Sequence, residues 1–252
     1  MAYQYIGTNV WSRRTGGSLS LKDRLTLMRD VLAPSFAAAT KTWLHLGKAA
    51  PLTLDAIPQP DTAAMKSAYA TLEACASPAI INHSLRTYYW GAAFGKLTGV
   101  AHDPELLMAS CLLHDLGMTP AHHGKHPGCT CFAVEGGVAA RAWAEKEGWP
   151  VARQALLEEA ISLHMNCHVT VENGAEAHLL QRGATCDVIG ASLYDLDASY
   201  RQSILGKYPR LGLNREFIDF VKRESAMRPR SRSNLARWSG FALLVHANPF
   251  TD

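Results

Sequence analysis

Four places in this chain set acid–base or metal-ligating side chains among apolar neighbours. The run "CLLHDLGMTP", residues 111–120, carries leucines straight into His114 and Asp115 and breaks at Gly117. His83 lies in "INHSLRTYYWG", His164 near the end of "EEAISLHM", and Asp187 inside "RGATCDVIGASL". Burying an unpaired carboxylate is costly, so an acid in such company wants a cation. Asp187 has Gly183 and Ala191 four positions to either side, which makes its face small and tightly packed. Neighbouring residues on a helix point about 100° apart, so His114 and Asp115 converge on one ion only at a helix end. His83 and Asp187 would complete the site from neighbouring helices. Two imidazoles and two carboxylates suit one divalent metal, zinc first, with iron and manganese as alternatives. Each residue alone also reads as a hydrogen-bonded core histidine or an exposed acid. The set together points to a site.

The elements that must position these residues read as helices. "SLKDRLTLMRDVL" repeats apolar residues at the helical period up to Pro34, and 35–49 continues as a second piece. "PLTLDAIPQP" is a proline-bounded connector. Asp61 and Thr62 suit the cap of an Ala-rich helix, and Pro78 starts the next, which ends at Gly99. Asp103 and Pro104 open the helix that ends in His114-Asp115. Further helices fall in "FAVEGGVAARAWAEKEG", "PVARQALLEEAISLHM", "AEAHLLQRGATCDVIGASL", "NREFIDFVKRESAM" and "SNLARWSGFALLVHA". No strand pattern or internal repeat stands out. The chain reads as an all-α domain over 21–252 behind an irregular, mobile N-terminal arm over 1–20.

The 252 residues, 48% hydrophobic and 19% charged, are enough for one substantial core. A net charge of +3 is too mild to imply nucleic acid. The basic stretch "RPRSRSNLAR", 228–237, reads as a solvated loop, with a phosphate-binding patch as the alternative. No apolar run is long enough to span a membrane, and the first residues lack a signal-peptide pattern, so a cytoplasmic protein is expected. Six cysteines do not form a disulfide framework. Cys75, Cys111 and Cys186 read as buried thiols, and neither Cys129-x-Cys131 nor Cys167 has the partner pair of a structural zinc site.

The order His…His-Asp…Asp resembles the HD-domain superfamily of metal-dependent hydrolases, which are all-helical. His83, His114, Asp115 and Asp187 match that motif residue by residue. More narrowly, "NHSLRTYYWG", "CLLHDLGMT", "FAVEGG" and "HLLQRGATCDVIGA" resemble the cyanamide hydratase-like branch, over about residues 78–195. The resemblance implies a single HD-type domain, a small-molecule substrate and a homo-oligomer. It also implies a hydroxide, generated at the metal, that adds to the carbon of a small nitrile such as cyanamide to give urea. The loop "MTPAHHGKHPGCTC" departs from the pattern by its cluster of histidines and cysteines.

For that chemistry His164 is the first candidate for proton transfer, and Thr119 a hydrogen-bond donor at the pocket rim. Arg86, one turn from His83, together with His122, His123 and Lys125 in the His-rich loop, are candidates for substrate contact. A phosphohydrolase acting on a phosphate ester is the runner-up and would need those cations. A metal-binding regulatory module without catalysis is the third reading. His164 and His168, four apart, with the loop histidines, raise a second metal site as an alternative. Glu135 reads as a helix-start acid.

Overall fold

Caps and close contacts decide where the helices begin, end and meet. The computed structural model describes residues 5–29, 49 and 51–250. Helix α1 is Asn9–Thr15, and α2 occupies 21–29. Then come α3 (Ala63–Glu73), α4 (Pro78–Thr98), α5 (Pro104–Leu113), α6 (Phe132–Lys146), α7 (Val151–Leu163) and α8 (Ala175–Ile189). The chain continues through α9 (Ala198–Lys207), α10 (Leu213–Met227), α11 (Arg232–Trp238) and α12 (Phe241–His246). No strand occurs among the described residues, and the protein is all-α. The Val31–Leu32 end of the first periodic run, Pro34 and nearly all of 35–49 lie outside the described residues.

The expected caps Thr62 and Asp103 hold, and Ser77, not singled out in the sequence, caps α4. Thr62 accepts from the Met65 amide, Ser77 from that of Ile80, and Asp103 from those of Glu105 and Leu106. Proline occupies the first turn of α4 and α5, and α4 and α8 stop at Gly99 and Gly190, both left-handed. Helix α9 carries a weak periodic signal and was not expected; Asp197 caps it.

The N-terminal arm is a correction. Residues 9–15 form a helix capped by Thr8 and ended by Gly16 at φ 61°. The Asn9 side chain donates to the Ala155 carbonyl and its amide to Glu159, both on α7. Trp11 is fully buried and packs in a cluster with Phe132 and Phe220. Burying such a ring contributes about 1.5–3 kcal/mol, so docking on the body, rather than propensity, orders this short segment.

Helices α4 and α8 approach closely where glycines face each other. A Cβ on Gly183 would lie 2.3 Å from the Thr87 carbonyl oxygen, and one on Gly91 would lie 2.7 Å from that of Leu179. This contact brings His83 and Arg86 beside Asp187. The Gly183→Ala variant is expected to lose about 1–3 kcal/mol of stability through overpacking. Chemical denaturation checks this, and a wild-type midpoint would contradict the close-contact account.

Candidate metal centre

Each functional side chain sits at or near a helix end. His114 is the C-cap of α5, and Asp115 begins the tight turn Leu116–Met118. His164 is the C-cap of α7, His83 lies in the first half of α4, and Asp187 lies two residues before the end of α8. Gly117 lies in the turn that follows α5, and proximity, not a left-handed bend, calls for a glycine there. A Cβ there would fall 2.0 Å from the Phe132 carbonyl oxygen, and one on Gly136 would fall 2.9 Å from that of His114. The glycines of "HDLG" and "VEGG" thus press the His-Asp turn against α6.

The ligating atoms converge. His83 Nε2 and His114 Nε2 are 3.1 Å apart. Asp115 Oδ2 lies 3.1 Å from His114 Nε2 and 3.5 Å from His83 Nε2. His164 Nε2 stands 3.7 Å from Asp115 Oδ1. All four side chains are buried. The outer nitrogens fix the protons. His114 Nδ1 is 2.8 Å from the Cys111 carbonyl oxygen, and His83 Nδ1 is 2.8 Å from Asp187 Oδ2. His164 Nδ1 faces the Ile161 carbonyl in the same way. These acceptors need an N–H, which leaves each Nε2 a bare lone pair turned inward. Asp115 Oδ2 is buried with no hydrogen-bond partner. The lone pairs of His83 and His114 and an orphaned carboxylate oxygen around one point, with the His164 lone pair beside the other carboxylate oxygen, repel one another unless a cation joins them. His83, His114 and Asp115 therefore fit a divalent metal ion, and they are the one group of three such donors found among the described residues.

Electrostatics follow from burial and neighbours. Burial alone would raise the Asp115 carboxyl, but His114 and His83 outweigh it and bring it down to about 2. Burial lowers His83 and outweighs the pull of Asp187. Burial also opposes protonation of His114, yet the Asp115 carboxylate raises it overall. His164 is pushed down to about 3 by burial, with His114 acting in the same direction.

Several expected site residues sit elsewhere. Asp187 stands behind His83 instead of beside it. Its Oδ1 accepts from Arg86 Nε at 2.7 Å and Trp90 Nε1 at 2.9 Å, and its Oδ2 accepts from Arg86 Nη2 at 2.8 Å and from His83. Arg210 Nη1 lies 3.7 Å away. Burial opposes ionisation of Asp187, but Arg86 dominates and holds it well below the usual carboxylate range. Arg86 is spent on this pair and on the Tyr208 and Pro209 carbonyls, so it is not a substrate contact. Thr119 is buried and donates to the Leu116 carbonyl, closing the turn instead of lining a pocket rim.

The His-rich loop is tied down away from the metal donors. His123 Nε2 lies 2.6 Å from Glu224, and Glu135 accepts from the Gly124 and His126 amides. His122 stacks on His126, and Lys125 is exposed. None of these lines the cavity at the centre. Glu135 is structural, as expected. His164 and His168 do not share a helix face, because α7 ends at Leu163 and His168 is exposed. Cys75 is half-buried, whereas Cys111 and Cys186 are buried.

A cavity of about 190 Å³ opens onto His83, His114, Asp115 and His164. Its walls are largely apolar, with Phe132, Val188, Phe217, Phe220, Leu235 and Phe241 among them. Arg232 and Asn166 also line it, and the sequence reading missed both. The basic stretch 228–237 is not simply solvated. Arg228 turns inward to Glu135 and Glu224, at 2.9 and 3.3 Å, and Arg232 is 2% exposed.

Two variants test the division of labour. Asp115→Ala should abolish stoichiometric metal binding, read by elemental analysis of the purified protein. Asp187→Ala strands Arg86 as a buried cation and should cost about 3–5 kcal/mol of folding stability, read by denaturation. A wild-type metal content in the first variant, or unchanged stability in the second, contradicts the assignment.

No curated protein matches the chain. Residues 80–195, a little under half of the chain, match the family model of the HD domain, and that segment contains His83, His114, Asp115, His164 and Asp187.

Proposed function

We propose that this protein is a metal-dependent hydratase that adds water to a small nitrile-type substrate, with cyanamide giving urea as the simplest case. The observation that carries the reading is the placement of the donor group. His83, His114 and Asp115 face an apolar cavity in which the only cationic side chain among the described lining residues is Arg232. A phosphate ester would need several cations there. Arg86 is instead committed to Asp187, and Lys125 lies outside the cavity.

Zinc is the metal we propose, since two imidazoles and a carboxylate suit it, with iron and manganese as alternatives. When bound, such an ion supplies Lewis acidity that brings the pKa of water toward 7. The protein's own groups do the rest. Asp187 and the Cys111 carbonyl hold His83 and His114 in the tautomers that leave Nε2 free. The apolar walls exclude bulk water and keep the small substrate against the donor group. His164 Nε2, a lone pair at the cavity edge, takes a proton from the attacking water and returns it to the nitrile nitrogen. The carbon gains an oxygen and the nitrogen a proton, giving an imidic acid whose remaining O–H proton shifts to the nitrogen to form the amide, and one water is consumed.

The test is metal content and turnover on one preparation, with cyanamide, small nitriles and nucleoside monophosphates as substrates. Urea from cyanamide or amide from a nitrile, lost on chelation and restored by zinc, is the expected result. Phosphate release without hydration would overturn the reading. His164→Gln is expected to keep the metal and lose about 10²–10⁴-fold in kcat. Loss of the metal itself would make His164 a ligand instead of a proton carrier.

A further inference from the structure

The buried arginines of this chain differ in how their charge is met. Arg86 donates to both oxygens of Asp187, and Arg210 lies 3.7 Å from the same carboxylate. Arg228, half-buried, sits between Glu135 and Glu224. Arg232 has no such partner. It is 2% exposed, yet its hydrogen bonds go to neutral acceptors. Nη1 donates to the Ser162 carbonyl at 2.6 Å and to Asn166 Oδ1 at 3.1 Å, and Nη2 points to Cys131 Sγ at 3.5 Å. The guanidinium lies 5.6 Å from the centre of the Trp11 ring. Its Nε is buried without any hydrogen-bond partner, whereas Arg86 spends the same atom on Asp187. Among the described residues no carboxylate forms an ion pair with Arg232.

A buried cation is tolerated when a counter-charge or a ligand completes it. Arg232 lines the same cavity as His83, His114, Asp115 and His164, and it grips the turn on either side of His164 through Ser162 and Asn166. The remaining walls are mostly hydrocarbon and aromatic. The cavity is also larger than cyanamide needs. At about 30 Å³ for each water it holds roughly six, while cyanamide has three heavy atoms.

We propose that Arg232 anchors an anionic end group of the substrate, which makes the substrate a short-chain monocarboxylate with its reacting group at the other end. Resting on the hydratase reading above, the matching compounds are ω-cyanoalkanoates. The carboxylate meets the guanidinium, the chain lies along the phenylalanines, and the nitrile reaches the donor group. A carboxylate is favoured over a phosphate because one guanidinium pairs well with a single negative charge, and no second cation lines the described cavity.

The anchor is testable without turnover. Hexanoate and its neutral analogue hexanamide would be titrated calorimetrically into zinc-loaded and chelator-treated wild-type protein, R232M and R232K. Wild-type protein should bind hexanoate at least about tenfold more tightly than hexanamide, with or without metal. R232M should lose that preference, R232K should keep part of it, and circular dichroism and zinc content should stay at wild-type values. The proposal falls if wild-type protein shows no preference, if the preference needs the metal, if R232M retains it, or if butyl phosphate outcompetes hexanoate. Should R232M not fold, the wild-type comparison and R232K still decide.

Turnover of 4-cyanobutyrate against pentanenitrile separates this proposal from the reading beneath it. A hexanoate preference with neither nitrile hydrated defeats the hydratase reading and leaves the anchor. Hydration of both at equal kcat/KM defeats the anchor and leaves the hydratase.

Discussion

The Asp187 carboxylate is the point on which this structure turns. It is fully buried and joined to Arg86, Trp90 and His83 on α4, while its own carbonyl accepts from Arg210 and Asn248. A charge so deep is stable only when its partners are fixed, and they are fixed by the glycine contact of α4 with α8. The same carboxylate sets the tautomer of His83. Helix packing, charge pairing and metal-donor geometry are thus one problem with one solution. A change at Gly183 would be felt at the Nε2 of His83.

A second clamp works from the opposite side. The tight turn after α5 is pressed on α6 through Gly117 and Gly136, and the Cys111 carbonyl orients His114. Glu135 and Glu224, both fully buried, hold the amides and His123 of the His-rich loop and share Arg228. That loop serves the architecture around α6 and α10. His123 faces Glu224, and His122 and His126 stack on each other, with none on the cavity wall, so the loop's histidines pack against the body and not against the metal donors.

What could be read from the sequence was local. Pro78, Asp103-Pro104 and Gly99 mark helix ends by their own chemistry, and the leucines running into His114-Asp115 announce a buried pair, whereas the end of α8 at Gly190 comes earlier than the sequence reading through 193. The family resemblance rested on the same residues and covers the segment that matches the HD domain. What failed was long-range choice. Asp187 is rightly an acid that wants a cation, but Arg86 reaches it across about a hundred residues of chain, and spacing cannot say which cation arrives. Helix α1 has no periodic face of its own and depends on Trp11 finding Phe132 and Phe220. Arg232 lay in a run of Arg, Pro and Ser that looks solvated. Its burial depends on acceptors at Ser162 and Asn166, which composition does not reveal.

The charge pattern explains why two aspartates in one motif do different work. Arg86 and Arg210 meet the charge of Asp187, so that carboxylate has little left for an incoming ion and acts through the imidazole it orients. Asp115 has no arginine, and its neighbours are the lone pairs of His83, His114 and His164. Among the described buried carboxylates, it is therefore the one whose charge no arginine meets. Without a cation, the donor group is held together against its own repulsion by outer hydrogen bonds to Asp187, Cys111 and Ile161. Because those bonds pre-orient the ligands, an ion entering the site would pay little to arrange them. The stability of the α4–α8 pair is thereby converted into geometry at the metal centre.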